Sequence, residues 1–276
     1  MLKMMMRVVA VMLAVVPATL HAKIVTEKIE YRDGDAVLEG FLAYDDSVKP
    51  EDRRPGVLVC HEWWGGGGSN AYAQSRAEQL AGLGYVAFAL DMYGKGRNTD
   101  DPKQAGAWAG EVFADAEAMR RRAALGLKVL AEHERVDRER LAVIGYCMGG
   151  TVALELARSG LEHTQSLRVV VAFHASTLAA KGSAEEIMKA NANIKGSVLV
   201  CHGAVDQFVK PGELQAFGDQ MEAAKVDYQV VHYGGAVHSF TNPGADAHKM
   251  ASVGYDEKAD RRSWGHMRML MDEKFK

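Results

Sequence analysis

Cysteine is scarce in this 276-residue chain, which has only Cys60, Cys147 and Cys201. Three cysteines cannot staple a disulfide scaffold, and an odd count leaves at least one thiol unpaired. Charge shows no excess of either sign. Lys and Arg number 33 against 36 Asp and Glu, a formal net charge of -3 without any like-charge run, so neither a basic nucleic-acid surface nor an acidic tail is expected. No linker, low-complexity tract or internal repeat divides the sequence. What remains, 48% hydrophobic and 25% charged, is the composition of a globular protein with a sizeable core.

The first residues have a different logic. Lys3 and Arg7 precede an almost continuous apolar run from Val8 to Leu20, which ends at His21-Ala22. Charged, apolar and small-residue segments in that order read as a secretory signal peptide. The run falls short of the roughly 20 residues a membrane-spanning helix needs, so no stable membrane anchor is expected. Cleavage is expected after Ala22, with Ala18 as the second choice, leaving a periplasmic or secreted domain from 23 to 276. A start codon placed too early would instead leave the protein cytoplasmic. Losing Lys3 and Arg7 moves the net charge to -5.

Beyond the leader, Ile24 to Tyr31 and Ala36 to Tyr44 alternate apolar and polar residues around Asp33-Gly34-Asp35, which predicts a hairpin. The pattern then changes to short, continuously apolar runs: Gly56–Cys60, Tyr85–Leu90, Leu141–Gly145, Val169–Phe173 and Ser197–Cys201. Such runs suit strands buried on both faces of a parallel sheet. Helical stretches separate them, at Asn70–Leu83, Pro102–His133, Gly149–Ser159, Pro211–Ala224 and Glu257–Phe275, with one more strand at Tyr228–His232. The alternation predicts a single α/β domain with a mostly parallel sheet. Ligands of such sheets bind beyond the carboxyl ends of the strands.

The residues that follow each run are therefore informative. Leu141–Ile144 leads into Gly145-Tyr146-Cys147-Met148-Gly149-Gly150 and then a helix, the context of a nucleophile elbow with cysteine as the nucleophile. A helix beginning at Met148 would turn its positive end toward a thiolate. Asp206 follows the Ser197–Cys201 strand, and His238 lies in a glycine-rich loop before the final helix. The chain order nucleophile, acid, histidine is that of α/β-hydrolases. The first buried strand runs into His61-Glu62-Trp63-Trp64 and four glycines, Gly65 to Gly68, where this fold supplies an oxyanion-hole N–H. No Gly-Lys-Ser or Gly-Lys-Thr follows them, so they are not a phosphate loop. Cys60, His61, His174, Cys201 and His202 lack the paired spacing of a zinc site, and no metal or cofactor is called for. Cys60 and Cys201 read as small buried residues rather than a disulfide pair.

Taken together, His61-Glu62-Trp63-Trp64-Gly65, Asp91-Met92-Tyr93-Gly94, the Cys147 elbow, Gly203-Ala204-Val205-Asp206-Gln207-Phe208-Val209 and His238-Ser239-Phe240 resemble the dienelactone hydrolase family. The resemblance covers nearly all of the chain after the leader. It implies an eight-stranded α/β-hydrolase fold, with Cys147 as nucleophile, His238 as general base then acid, and Asp206 orienting His238. It also implies that Glu62 contacts the resting thiol and that the N–H groups of Trp63 and Met148 form the oxyanion hole. Trp63, Trp64, Tyr93, Phe173 and His174 are expected to line an acyl pocket. Where relatives that act on a carboxylated lactone use two arginines, this sequence has Lys95 and Asn242. Asn242 carries no charge and lysine lacks the bidentate fork, although Arg97 is near in sequence. The expected activity is hydrolysis of a small ester or lactone by a monomer. A thioesterase or other carboxylesterase, and a non-catalytic binder that kept the fold, are the alternatives.

Overall fold

The computed structural model describes residues 23–276; the leader assigned to residues 1–22 lies outside the described residues. β1 (Ile24–Asp33) and β2 (Ala36–Asp45) pair as the expected hairpin. Six further strands follow: β3 (Arg54–Cys60), β4 (Val86–Ala89), β5 (Val136–Tyr146), β6 (Leu167–Phe173), β7 (Ser197–Gly203) and β8 (Tyr228–Tyr233). They form one eight-stranded sheet in the order β1-β2-β4-β3-β5-β6-β7-β8, parallel from β4 to β8. The mostly parallel α/β-hydrolase sheet expected from the sequence is therefore present.

The continuous apolar runs are explained by burial on both faces. Along β3, Leu58 and Cys60 join one core, whereas Val57 and Val59 join the other; along β7, Val198 and Val200 face the first core and Leu199 and Cys201 the second. This is the period of two that a strand imposes. The first core is closed by α2 (Pro102–Ala114), α3 (Ala116–Glu132), α4 (Met148–Ser159) and α6 (Glu213–Ala223), and the second by α1 (Ala71–Ala81) and α7 (Glu257–Lys274). Cys60 and Cys201 thus sit on opposite faces of the sheet, and all three cysteines are free thiols.

Two elements differ from expectation. The single helix predicted over Pro102–His133 is two helices, broken at Asp115, whose extended backbone (φ -129°) and side-chain bond to the Ala118 N–H start α3 afresh. A short helix, α5 (Ala184–Asn191), occupies a stretch where the sequence pattern assigns no element. Ser183 and Glu186 close a reciprocal capping box at its start. No helix among the described residues is long and apolar enough to cross a membrane.

The order in which the chain adds strands reverses beside β3, with β4 on one side and β5 on the other. A crevice opens at the carboxyl ends of strands at such a point, and there the chain leaves β3 into His61–Gly68 and β5 into Cys147.

Candidate active site

Cys147 occupies the turn between β5 and α4 with φ 55° and ψ -120°, a conformation that side chains rarely adopt. The flanking glycines make the turn possible. A Cβ on Gly145 would stand 1.9 Å from the Gly149 carbonyl oxygen, and one on Gly149 would stand 2.2 Å from the Cys60 carbonyl oxygen. The Cys147 N–H is already committed, to the Phe173 carbonyl at 3.0 Å and His174 Nδ1 at 3.1 Å. Met148 opens α4, where a backbone N–H has no intrahelical acceptor. Ser176 Oγ lies 3.6 Å from the sulfur.

The acid and the histidine come from the ends of β7 and β8. Asp206 Oδ2 lies 2.8 Å from His238 Nδ1, while its Oδ1 accepts from the Phe208 N–H at 2.8 Å. The Phe208 ring stacks on the imidazole at 4.3 Å. His238 is buried, and its Nε2 makes no hydrogen bond. Burial opposes a charged imidazole here, but the Cys147 sulfur and the Asp206 carboxylate outweigh it, and His238 is pushed up to about 10. Although no Nε2–sulfur bond of ordinary geometry is present, the sulfur is close enough to favour the charged ring. The three residues that sequence order singled out are therefore gathered at one place.

Glu62 departs from expectation. Its fully buried carboxylate accepts from Ser239 Oγ at 3.2 Å and Asn242 Nδ2 at 2.6 Å, and makes no hydrogen bond to Cys147. Burial raises its pKa against the opposing effect of the Asn242 bond. Its backbone is fixed as well: His61 accepts from the Met92 N–H through Nε2, which leaves Nδ1 as the donor to the Glu62 carbonyl.

The crevice is a cavity of about 300 Å³ that reaches Cys147, Met148 and His238 and is walled by Trp63, Trp64 and Asn242 among others. Trp64 stacks on His248 at 3.8 Å. Four residues expected at the pocket, Phe173, Tyr93, Lys95 and His174, lie elsewhere. Phe173 is buried at the end of β6, stacked on Tyr146 at 4.8 Å, because its strand position turns it into the second core. Tyr93 lies behind the wall, its hydroxyl donating to the Trp63 carbonyl at 3.0 Å and meeting Met148 Sδ at 3.3 Å. Lys95 is on the surface, paired with Glu30 and 3.6 Å from Glu39, and contributes nothing to the cavity. Arg97 does not replace it, since it pairs with Glu111 and lies over Trp108.

His174, placed in the pocket by sequence position, joins the loops instead. Its Nδ1 accepts from Cys147 and its Nε2 lies 2.7 Å from Thr241 Oγ1, which in turn is 2.6 Å from the Tyr72 hydroxyl. Burial, reinforced by the neighbouring His238 charge, holds His174 well below the ordinary histidine range, so the ring is neutral. Arg76 extends the chain of contacts by donating to the Thr241 carbonyl at 2.7 Å. Sequence reasoning had no means of finding Thr241, Tyr72 or Arg76, or the bond from Ser239 to Glu62, because the partners lie far along the chain.

A cysteine elbow at the end of β5, with an Asp–His pair at the ends of β7 and β8, defines the scaffold as an α/β-hydrolase. Residues 38–275 match the dienelactone hydrolase family, and the chain belongs to it. It is similar to the dienelactone hydrolase-like promiscuous phosphotriesterase P91 from metagenomic libraries, with 36% identity and a TM-score of 0.83 over 92% of this chain and 99% of that one. The solved structure m3DLH is 41% identical, with a TM-score of 0.82 over 91% of this chain and 98% of that one. A putative carboxymethylenebutenolidase of Aquifex aeolicus is 26% identical over 239 residues, covering 86% of this chain and 94% of that protein. The chain is accordingly a hydrolase acting on ester or lactone bonds of a small-molecule substrate.

Proposed function

We propose that this hydrolase works through an acyl-thioenzyme on Cys147. The observation that carries the reading is the 2.8 Å Asp206–His238 pair in the cavity that holds the Cys147 elbow. Asp206 orients His238 with Nε2 toward the thiol. A proton resting on Nε2 leaves Cys147 as thiolate, a far better nucleophile than the thiol. The sulfur attacks the carbonyl carbon, and the resulting oxyanion is met by the N–H groups of Trp63 and Met148. Loss of one such donor typically costs about 2.7–4 kcal/mol of transition-state stabilisation. The alcohol departs with the proton from Nε2. Water then loses a proton to Nε2 as it attacks the thioester, releasing the acid and restoring the thiolate beside the protonated ring.

In this reading Tyr93 is a positioning residue for both oxyanion donors, and Glu62 positions the Ser239–Asn242 wall. The leader adds a second part, export to the periplasm, where burial of Cys147 (8% exposed) would shield the thiol from oxidants. N-terminal sequencing of fractionated protein should give a chain beginning at Lys23; an intact Met1 on cytoplasmic protein contradicts export. For the chemistry, Cys147→Ala should lower turnover of 4-nitrophenyl acetate by about a thousandfold or more. Turnover that survives the substitution sinks the triad.

A further inference from the structure

The cavity's lining carries a substrate preference. Among the described residues, no lysine, arginine, aspartate or glutamate lines it; the polar groups that reach it are the thiol, Ser176, Ser239, Asn242 and the imidazoles of His238 and His248. The nearby cations are committed elsewhere, Lys95 to Glu30 and Glu39, Arg97 to Glu111, and Arg76 to Asp260 and the Thr241 carbonyl. Two of the exposed large apolar side chains among the described residues, Phe113 at 40% and Phe208 at 43%, belong to this same lining. A substrate carboxylate would lose its water here and meet only the His238 imidazolium, whose charge Asp206 and the Cys147 sulfur already balance, at a cost of several kcal/mol. An apolar group would instead cover exposed aromatic surface.

One wall is a face of α2. Gly106, Ala109, Gly110 and Phe113 follow the spacing that places helix residues on a single side, and all four line the cavity. Each glycine inside a helix costs about 1 kcal/mol relative to alanine, and α2 carries two of them on this face. A Cβ on Gly106 would rest 3.6 Å from Trp63, an ordinary contact, whereas one on Gly110 would meet nothing within 4 Å. The space beside Gly110, at the exposed edge of the cavity, is therefore open rather than packed protein.

Resting on the hydrolase reading above, we propose that the site selects uncharged esters with an apolar acyl chain, rejects those bearing a carboxylate on that chain, and uses Gly110 to set the acyl length it admits. The matched probes are 4-nitrophenyl hexanoate and mono-4-nitrophenyl adipate, which differ by a terminal carboxylate. The native protein should favour the hexanoate at least a hundredfold in kcat/KM. Binding of the same pair to Cys147→Ala protein, followed by tryptophan fluorescence, to which Trp63 and Trp64 of the lining contribute, should show at least a tenfold preference for the hexanoate. Binding preference without turnover would refute the hydrolase reading alone, while ratios within threefold in both measurements overturn the charge preference. Gly110→Leu, which raises helix propensity and leaves Tm no lower, should reduce the hexanoate-to-acetate ratio of kcat/KM at least tenfold. Gly110→Ala should reduce it by less, and ratios unchanged in both variants overturn the role of Gly110.

Discussion

At the residue scale the site rests on a proton held between sulfur and carboxylate. An imidazole near 6.5 in the unfolded chain and about 10 in the fold is stabilised in its charged form. The stability this adds is complete below pH 6.5 and is lost as pH rises through about 10. In the proposed mechanism the same proton protonates the leaving alcohol, so kcat/KM should fall on its alkaline side near pH 10, and Asp206→Asn should draw that limb downward. A wild-type limb near pH 6.5, unmoved in Asp206→Asn, would contradict the assignment. Cys147, Asp206 and His238 were legible because each follows an apolar run and their order is characteristic. Lys95 and Phe173 were misplaced because proximity in sequence does not fix which way a side chain points. Glu62 was read as a partner of the thiol, yet its bonds go to Ser239 and Asn242, residues 177 and 180 positions away.

At the scale of elements, the elbow is the part that the sequence specifies most tightly. A methyl group on Gly149 would collide with the end of β3, where no flexible side chain can give way. Gly149→Ala should therefore destabilise the fold by about 1–3 kcal/mol and cost activity by shifting β3 against α4, as chemical denaturation and ester turnover would show. Wild-type values for both would mean the turn is less constrained than its geometry indicates. The elbow was readable because glycine, strand and helix signals coincide within a few residues. The break at Asp115 was not, since Ala114-Asp115-Ala116-Glu117 continues a helical pattern and only the cap geometry ends it. The capping box that starts α5 was present in the sequence as Ser183 and Glu186, but the short polar segment around it carries little apolar periodicity.

At the scale of the whole molecule, Arg76 ties together parts that the chain visits far apart. From α1 it donates to Asp260 of α7 at 2.6 Å and to the Thr241 carbonyl in the loop after His238. Removing one side of a buried pair strands the other charge, so Arg76→Leu should cost roughly 3–5 kcal/mol. Pairing it with Asp260→Leu should recover part of the loss in urea denaturation, whereas a single-variant loss under about 1 kcal/mol would show the pair to be effectively solvated. The two-faced sheet was legible from the apolar runs, but this long-range tie was not, because a lone arginine in an amphipathic helix looks like any surface cation. Covalent chemistry at Cys147 is the most direct test of the proposed function. Protein mixed with 4-nitrophenyl hexanoate, quenched in acid within milliseconds and digested, should yield the peptide containing Cys147 with one added hexanoyl mass, absent from Cys147→Ala. Turnover with no acyl group on that peptide, or with one on another residue, would contradict it.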